Sequence, residues 1–354
     1  MGDRMREQRE SSLDLSGVRN PKVAVVGVGG GGNNALRRLL ECGFDAAETV
    51  AVNTDARALE ASTASKKLLL GEVKLRGHGC GGDARLGAEV AWDAKQRLHE
   101  MLWDKDLVFV ITSLGGGTGT GATPVVCDVV KERGGVAVPI ATLPFSVEKH
   151  RFSVATRGLR ELAYCSDSVI VLDNNKLLEI APSIPVRDAF SVMEQVIADS
   201  IMGVLGTYTM ESVIQIDFSD VKAVLQGGRQ CTLLYGESAS SDPERAVQDA
   251  LRSSFLKVNY EGAQRALVHI TGDPTMSIHT MNKVAEGVTS VLAHDAVVKV
   301  GLSVSPEFSG RIRVMGIITN VSSEYLPSDE PVMAAEAEVA MEKVFAEMGW
   351  KGKK

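Results

Sequence analysis

The chain has 354 residues, 44% of them hydrophobic, and a formal net charge of −7 at pH 7. That length suits two domains with cores of their own, and the acidic balance argues against a dedicated nucleic-acid binder. Five cysteines, odd in number and without a C-x-x-C spacing, give no disulfide or zinc framework and fit a reducing compartment.

Residues 1–20 are polar and charged, lack the apolar segment of a signal peptide, and read as a flexible extension. No apolar run approaches the ~20 residues that span a bilayer. The run at 22–27 (Lys-Val-Ala-Val-Val-Gly) predicts a buried strand, and Leu36, Leu39 and Leu40 place a helix over 33–42. A second strand follows at 49–52. Helices at 84–103, 122–133 and 153–165 alternate with strands at 107–114, 136–142 and 168–172. Strands that are nearly all apolar and alternate with helices predict a parallel sheet covered on both faces, an α/β arrangement of Rossmann-like type. Ala189, Val192, Met193, Val196, Ile197 and Val204 then predict a long helix over 187–205. Beyond it the strands at 231–235, 266–270, 297–302 and 312–321 are mixed in pattern, with helices at about 243–254 and 278–293 between them. The expected organisation is a first domain over 21–186, a connecting helix over 187–211, a smaller α+β domain over 212–325, and a tail over 326–354. Within the tail, residues 331–348 predict an acidic amphipathic helix, followed by Trp350, Lys351, Lys353 and Lys354.

The 35 glycines concentrate in a few loops. The richest run is Gly115-Gly116-Gly117-Thr118-Gly119-Thr120-Gly121, between a strand and a helix. Glycine lets backbone N–H groups turn inward, and the helix behind adds its unpaired N–H groups and dipole, so this order makes an anion site with two threonine hydroxyls as further donors. No Lys-Ser or Lys-Thr follows, which excludes a Walker A loop. Three more loops end strands or precede helices on the same sheet edge: Gly27-Val28-Gly29-Gly30-Gly31-Gly32-Asn33-Asn34, Asn53-Thr54-Asp55, and Gly77-His78-Gly79-Cys80-Gly81-Gly82-Asp83. A fifth loop, over 142–151, carries mixed charges. A nicotinamide-dependent Rossmann enzyme would use 27–32 and Asp55 but would leave 79–83 and 115–121 without a task. Three glycine turns on one edge suit a triphosphate held by backbone donors.

In that combination the chain resembles the tubulin/FtsZ superfamily, and within it FtsZ, from about residue 22 to 321. The stretch Gly262-Ala263-Gln264-Arg265-Ala266-Leu267-Val268-His269-Ile270-Thr271 is similar to a strand of the FtsZ C-terminal domain. The resemblance implies a GTP-hydrolysing protein that polymerises head to tail into protofilaments and builds a cytokinetic ring in the cytoplasm at the division site. It implies phosphate and ribose contacts from Gly29, Gly30, Gly31, Asp55, Gly79, Cys80, Gly81 and the Gly115, Gly116, Gly117, Thr118, Gly119, Thr120, Gly121 run. Glu148 and Arg151 join them near the phosphates. Phe190 matches the aromatic that stacks on guanine, and Glu194, one helical turn on, occupies the base-reading position, where a carboxylate suits the N1–H and N2–H donors of guanine. Asn34 and Asn174 are further base contacts.

Catalysis is implied in trans, from the Gln215-Ile216-Asp217-Phe218-Ser219-Asp220 loop of a neighbour, with Asp217 and Asp220 orienting water at the γ-phosphate. Gln215 stands where FtsZ carries Asn, so a polymer with weak or no hydrolysis is one alternative, and a CetZ-like cell-shape paralogue is another. Mg²⁺ is expected on the phosphates rather than in a protein cage, since His78, His99, His150, His269, His279 and His294 lack ligand spacing. The tail is a candidate for contact with a membrane adaptor, and no nucleic-acid partner is expected.

Overall fold

The computed structural model describes residues 20–180, 182–183, 185–209, 212–252 and 255–327. The extension ahead of residue 20 and the tail helix expected at 331–348 lie outside them. The first half runs β1 (Val23–Val28), α1 (Gly29–Glu41), β2 (Glu48–Asn53), α2 (Ala56–Glu60), β3 (Lys66–Leu69), α3 (Glu72–Leu75), α4 (Ala84–Asp93), α5 (Lys95–Leu102), β4 (Leu107–Ser113), α6 (Gly117–Lys131), β5 (Val136–Leu143), α7 (Lys149–Cys165), β6 (Ser168–Asp173) and α8 (Asn175–Ile180). The long α9 (Val186–Thr209) leads to α10 (Phe218–Leu225), β7 (Arg229–Ala239), α11 (Pro243–Arg252), β8 (Val258–Asn259), β9 (Arg265–Gly272), α12 (Ile278–Thr289), β10 (Val297–Val304), β11 (Arg311–Thr319) and β12 (Ser322–Ser323).

All residues of β1 and β5 are buried, as strands covered on both faces must be. The strand order β10-β9-β11-β7-β6-β5-β4-β1-β2-β3 is one continuous sheet. It is parallel from β3 to β7, while β11 is antiparallel to both β7 and β9. The change in strand character after α9 does not divide the sheet. β6 and β7 pair in parallel through Ser168–Arg229, Val169–Gln230 and Ile170–Cys231. The cause is the apolar side of α9, whose Ala189, Met193, Ile197, Ile201 and Val204 share one core cluster with Ile140, Ile170, Leu233, Leu267 and Ile317. A helix buried against strands of both halves draws their edges together. By length and composition Asp188–Gly206 is apolar enough to cross a membrane, against the sequence expectation, and 44% of it is buried; its buried side, from Ala189 to Val204, packs in the core.

Two further differences concern helices. The helix expected at 84–103 is broken into α4 and α5 at Ala94, whose φ and ψ are −92° and 7°, although no Gly or Pro marks the break. Lys95, just past it, reaches Asp128 of α6 at 2.8 Å and Glu132, its C-cap, at 2.7 Å, so tertiary ion pairs hold the new helix start. The glycine runs are also helical sooner than expected. α1 begins at Gly29 and α6 at Gly117.

Candidate functional site

Five of the seven residues from Gly115 to Gly121 therefore form the first turns of α6, and only Gly115 and Gly116 make the turn itself. Gly115 has φ of +92°, a conformation that costs any residue with a Cβ. Neither α1 nor α6 has a side-chain cap on its N-terminal N–H groups or an acidic residue in its first turn. Those unpaired donors and the aligned dipoles leave two positive helix ends at the same edge of the sheet.

The glycines divide into two kinds. A Cβ on Gly29 would lie 2.9 Å from the Gly119 nitrogen, one on Gly31 2.1 Å from Ser113 Oγ, one on Gly119 2.5 Å from the Ser113 carbonyl oxygen, and one on Gly121 1.9 Å from that of Ala84. These positions bring α1 against α6, α6 against α4, and both α1 and α6 against the end of β4. Gly30, Gly81 and Gly116 have no neighbour within 4 Å of such a Cβ, and the first two open onto a common space.

That space is a cleft of about 220 Å³ lined by Gly30, Asp55, Gly79, Cys80, Gly81, Gly117 and Thr118 of the expected set. Asn53, Thr54, Ala58 and Gly82 complete it. Thr54, inside the Asn53-Thr54-Asp55 loop but not among the expected contacts, is the most informative addition. Its Oγ1 lies 2.6 Å from Thr118 Oγ1 and accepts the Cys80 thiol at 3.6 Å, so one hydroxyl joins three loops. The Asn53-Thr54-Asp55 motif at a strand end was its signal. Asp55 Oδ1 accepts the Ala58 N–H at 3.0 Å and caps α2. Asp83 caps α4 through the Arg85 and Leu86 N–H groups. Thr120 is buried, and its hydroxyl accepts the Gly115 N–H at 2.9 Å; it fixes the turn, leaving Thr118 as the hydroxyl on the cleft.

A second cluster adjoins the turn. A Cβ on Gly115 would touch the Arg151 carbonyl oxygen at 2.7 Å. Arg151 pairs with Glu148, which also accepts the Phe145 N–H at 3.3 Å. The Phe145 ring meets Phe190 edge-on, with centroids 6.0 Å apart, and Phe190 is 42% exposed, as a stacking platform has to be. Phe145 is a second residue the sequence reading missed. Asn174 is buried with its Oδ1 unpartnered, an orphaned acceptor of the kind a ligand satisfies. Glu194 is half-buried on α9. Burial pushes its carboxyl above the ordinary glutamate range and Glu41 adds to the rise, against the pull of Arg37 and Arg38. Asn34 is exposed on α1, whereas its neighbour Asn33 is buried and donates to the Gly29 and Val52 carbonyls.

Gln215, Asp217 and Asp220 are elsewhere. Lys222 of α10 donates to the Gly134 carbonyl at 3.3 Å, and Ser168 Oγ donates to that of Leu225. Gly134 and Ser168 stand at the N-terminal ends of β5 and β6, while the cleft is at the C-terminal ends of β1 and β2. Strands of this length put roughly 20–25 Å between the two. Asp217 holds the N-cap position of α10 but its side chain makes no capping bond and is exposed; Asp220 pairs with Lys299 at 2.9 Å. Among the described residues no group of three or more His, Cys, Asp or Glu side chains could hold a metal ion.

Residues 22–182 match the model of the Tubulin/FtsZ family, GTPase domain, and residues 230–322 that of the FtsZ family, C-terminal domain. The chain is 44% identical to Cell division protein FtsZ 2 of Methanocaldococcus jannaschii, over 85% of this chain and 80% of that protein. It is similar in structure to an empty FtsZ dimer from M. jannaschii (TM-score 0.79, 37% identity, 85% of this chain and 89% of that one). It is also similar to the GTPγS-bound protofilament of CetZ2 from Haloferax volcanii (TM-score 0.74, 25% identity, 92% and 99%).

Proposed function

This chain belongs to the FtsZ family of the tubulin/FtsZ superfamily, a GTP-binding cytoskeletal GTPase, and on that premise we propose that it hydrolyses GTP at the junction between successive subunits of a head-to-tail filament. The observation that carries this reading is the separation of the cleft from the Gln215–Asp220 loop. In one chain the two lie at opposite ends of the sheet, and stacking copies along the strand direction would bring one subunit's loop over the next subunit's cleft. A nicotinamide-dependent enzyme is set aside by the GTPase-domain match. A cell-shape role has less support, since identity is 44% to a cell-division FtsZ against 25% to CetZ2.

In this reading the helix ends at Gly29 to Gly31 and Gly115 to Gly121, with Gly79, Cys80 and Gly81, hold the phosphates through backbone N–H groups. Asp55 meets the ribose. Arg151, paired with Glu148, lies near the phosphates; Phe190 stacks on the base while Glu194, Asn34 and Asn174 read it. Mg²⁺ fits a site that offers few carboxylates, because such an ion takes its ligands mainly from phosphate oxygens and water and would neutralise their charge. The protein's own part is to position: Asp217 and Asp220 of the adjoining subunit orient the attacking water and accept its proton. We place this work in the cytoplasm at the division site. The tail, with Trp350, Lys351, Lys353 and Lys354, is the segment proposed to meet a membrane adaptor; loss of liposome co-sedimentation on deleting 331–354 would support it, and unchanged binding would remove it.

Phosphate release measured against protein concentration tests the shared site. A threshold concentration is expected, below which turnover is negligible, and activity linear in total protein would contradict the proposal. Gln215→Asn is expected to raise turnover a few-fold if the longer amide limits the geometry; no change would show that it does not. Glu194 supplies a pH test. Its raised pKa means that the carboxylate is lost at a higher pH than an exposed glutamate would be, so preference for guanine over adenine nucleotides should weaken early as pH falls. Competition titrations from neutral to mildly acidic pH check this, and Glu194→Gln should flatten the dependence.

A further inference from the structure

Tyr325 follows β12, outside the residues 230–322 that match the C-terminal family model, yet its side chain reaches back into the first half. Its hydroxyl donates to Asp173 Oδ2 at 2.9 Å, across 152 positions of sequence, and its ring meets Phe152 edge-on at 6.0 Å. Asp173 is buried at the C-terminal end of β6. Its other oxygen, Oδ1, accepts both the backbone N–H of Asn175 at 2.8 Å and the side-chain amide at 2.7 Å. Asn175 Oδ1 in turn accepts the Ser146 N–H at 3.0 Å. Ser146 directly follows Phe145, the residue that packs against Phe190.

The other end of this chain is anchored as well. Ser323 Oγ accepts the N–H groups of Tyr325 and Leu326, at 3.2 and 3.3 Å, and the Gln230 amide of β7 at 2.8 Å. Tyr325 is thus held on the second half of the molecule while it donates to the first.

We propose that Tyr325 is a positioning residue for the guanine nucleotide, acting through Asp173 and Asn175 on the loop that carries Phe145 and Glu148. The proposal rests on the reading of Phe190 as the base platform. A buried carboxylate needs its donors, and removing the phenol frees Asp173 to turn toward other partners. Asn175 then loses its anchor, and with it the Ser146 bond that shapes the loop beside Phe190. Burial, aided by the Asp173 and Glu324 charges, pushes the Tyr325 phenol well above its usual range, so it remains a donor throughout the working pH. The effect falls on nucleotide binding within one subunit, and hydrolysis by the neighbour's loop is not touched.

The test uses the full chain below its assembly concentration, titrated with a fluorescent guanosine diphosphate, and phosphate release at saturating GTP above that concentration. Tyr325→Phe keeps the ring against Phe152 and removes only the donor. The dissociation constant is expected to rise about fivefold to tenfold, with kcat within twofold of the parent. Asn175→Ala is expected to weaken binding similarly, and the double variant to add little, because both changes cut the same chain. Unchanged affinity in Tyr325→Phe, or fully additive losses in the double variant, would overturn the role of Tyr325. A parent chain that binds no guanine nucleotide would instead overturn the reading on which this rests. If Tyr325→Phe does not fold, Asn175→Ala reads the same link, and an unaltered dissociation constant there overturns the proposal.

Discussion

Replacing Asp217 with alanine is expected to lower GTP turnover about a hundredfold or more, the usual range for losing a group that orients or deprotonates a nucleophile. Nucleotide binding to the isolated subunit should stay at the parent value. The geometry is the reason for the split. Asp217 is exposed on the N-terminal side of α10, its carboxylate caps nothing, and α10 is fastened to the strand ends opposite the cleft. Its removal therefore leaves helix and pocket intact. On the proposed shared site, mixing the variant with the parent chain should reduce turnover in proportion to its mole fraction, since each substituted loop would silence one junction. Phosphate release with a parallel binding titration is the measurement. Parent-level turnover, or weakened binding to the single subunit, would refute the assignment. Asp220 differs in being held by Lys299 at 2.9 Å, so Lys299→Ala should disturb turnover through Asp220 by less than loss of the carboxylate itself.

The second large effect is on stability. Gly121→Ala places a Cβ 1.9 Å from the Ala84 carbonyl oxygen and 2.5 Å from the Ala88 nitrogen. Both are backbone atoms of α4, so no rotamer change relieves the overlap, and α4 and α6 must separate. A loss of about 3 kcal/mol or more is expected, read as a fall in melting temperature of several degrees. Gly116→Ala is the control. Nothing lies within 4 Å of its Cβ, and its φ of −100° suits any residue. It should change stability by less than about 0.5 kcal/mol, and on the proposed phosphate site it should weaken nucleotide binding. Thermal denaturation without nucleotide separates the two: a Gly121→Ala chain that melts with the parent would show that the helices do not need the close approach.

Much of the architecture was legible in the residues. Runs such as Val23–Val28 and Val136–Leu143 are apolar on both sides of the pleat, which leaves a covered parallel strand as the only stable use for them. The glycine runs, placed between such strands and helical patterns, marked the sheet edge on which the cleft lies. Their division of labour was not legible, because glycine looks the same whether it leaves open space, as at Gly116, or admits a neighbouring backbone, as at Gly121. The break at Ala94 was likewise silent, since no local residue demands it and Lys95 secures it by reaching α6.

The sequence by itself determined the longer strands and helices, the length and apolar face of α9, and the glycine-rich edge, all properties of backbone preference and periodicity acting over a few residues; the edge strand β3 and the short α2, α3, α8 and α10 carry too few residues for a period to show. Only the tertiary structure decided that both halves share one sheet, that Thr54 meets Thr118 across 64 positions and Tyr325 meets Asp173 across 152, and that the Gln215–Asp220 loop faces away from its own cleft. Those pairings depend on side chains brought together by the packing of whole elements, and no periodicity within a segment encodes a distance between segments.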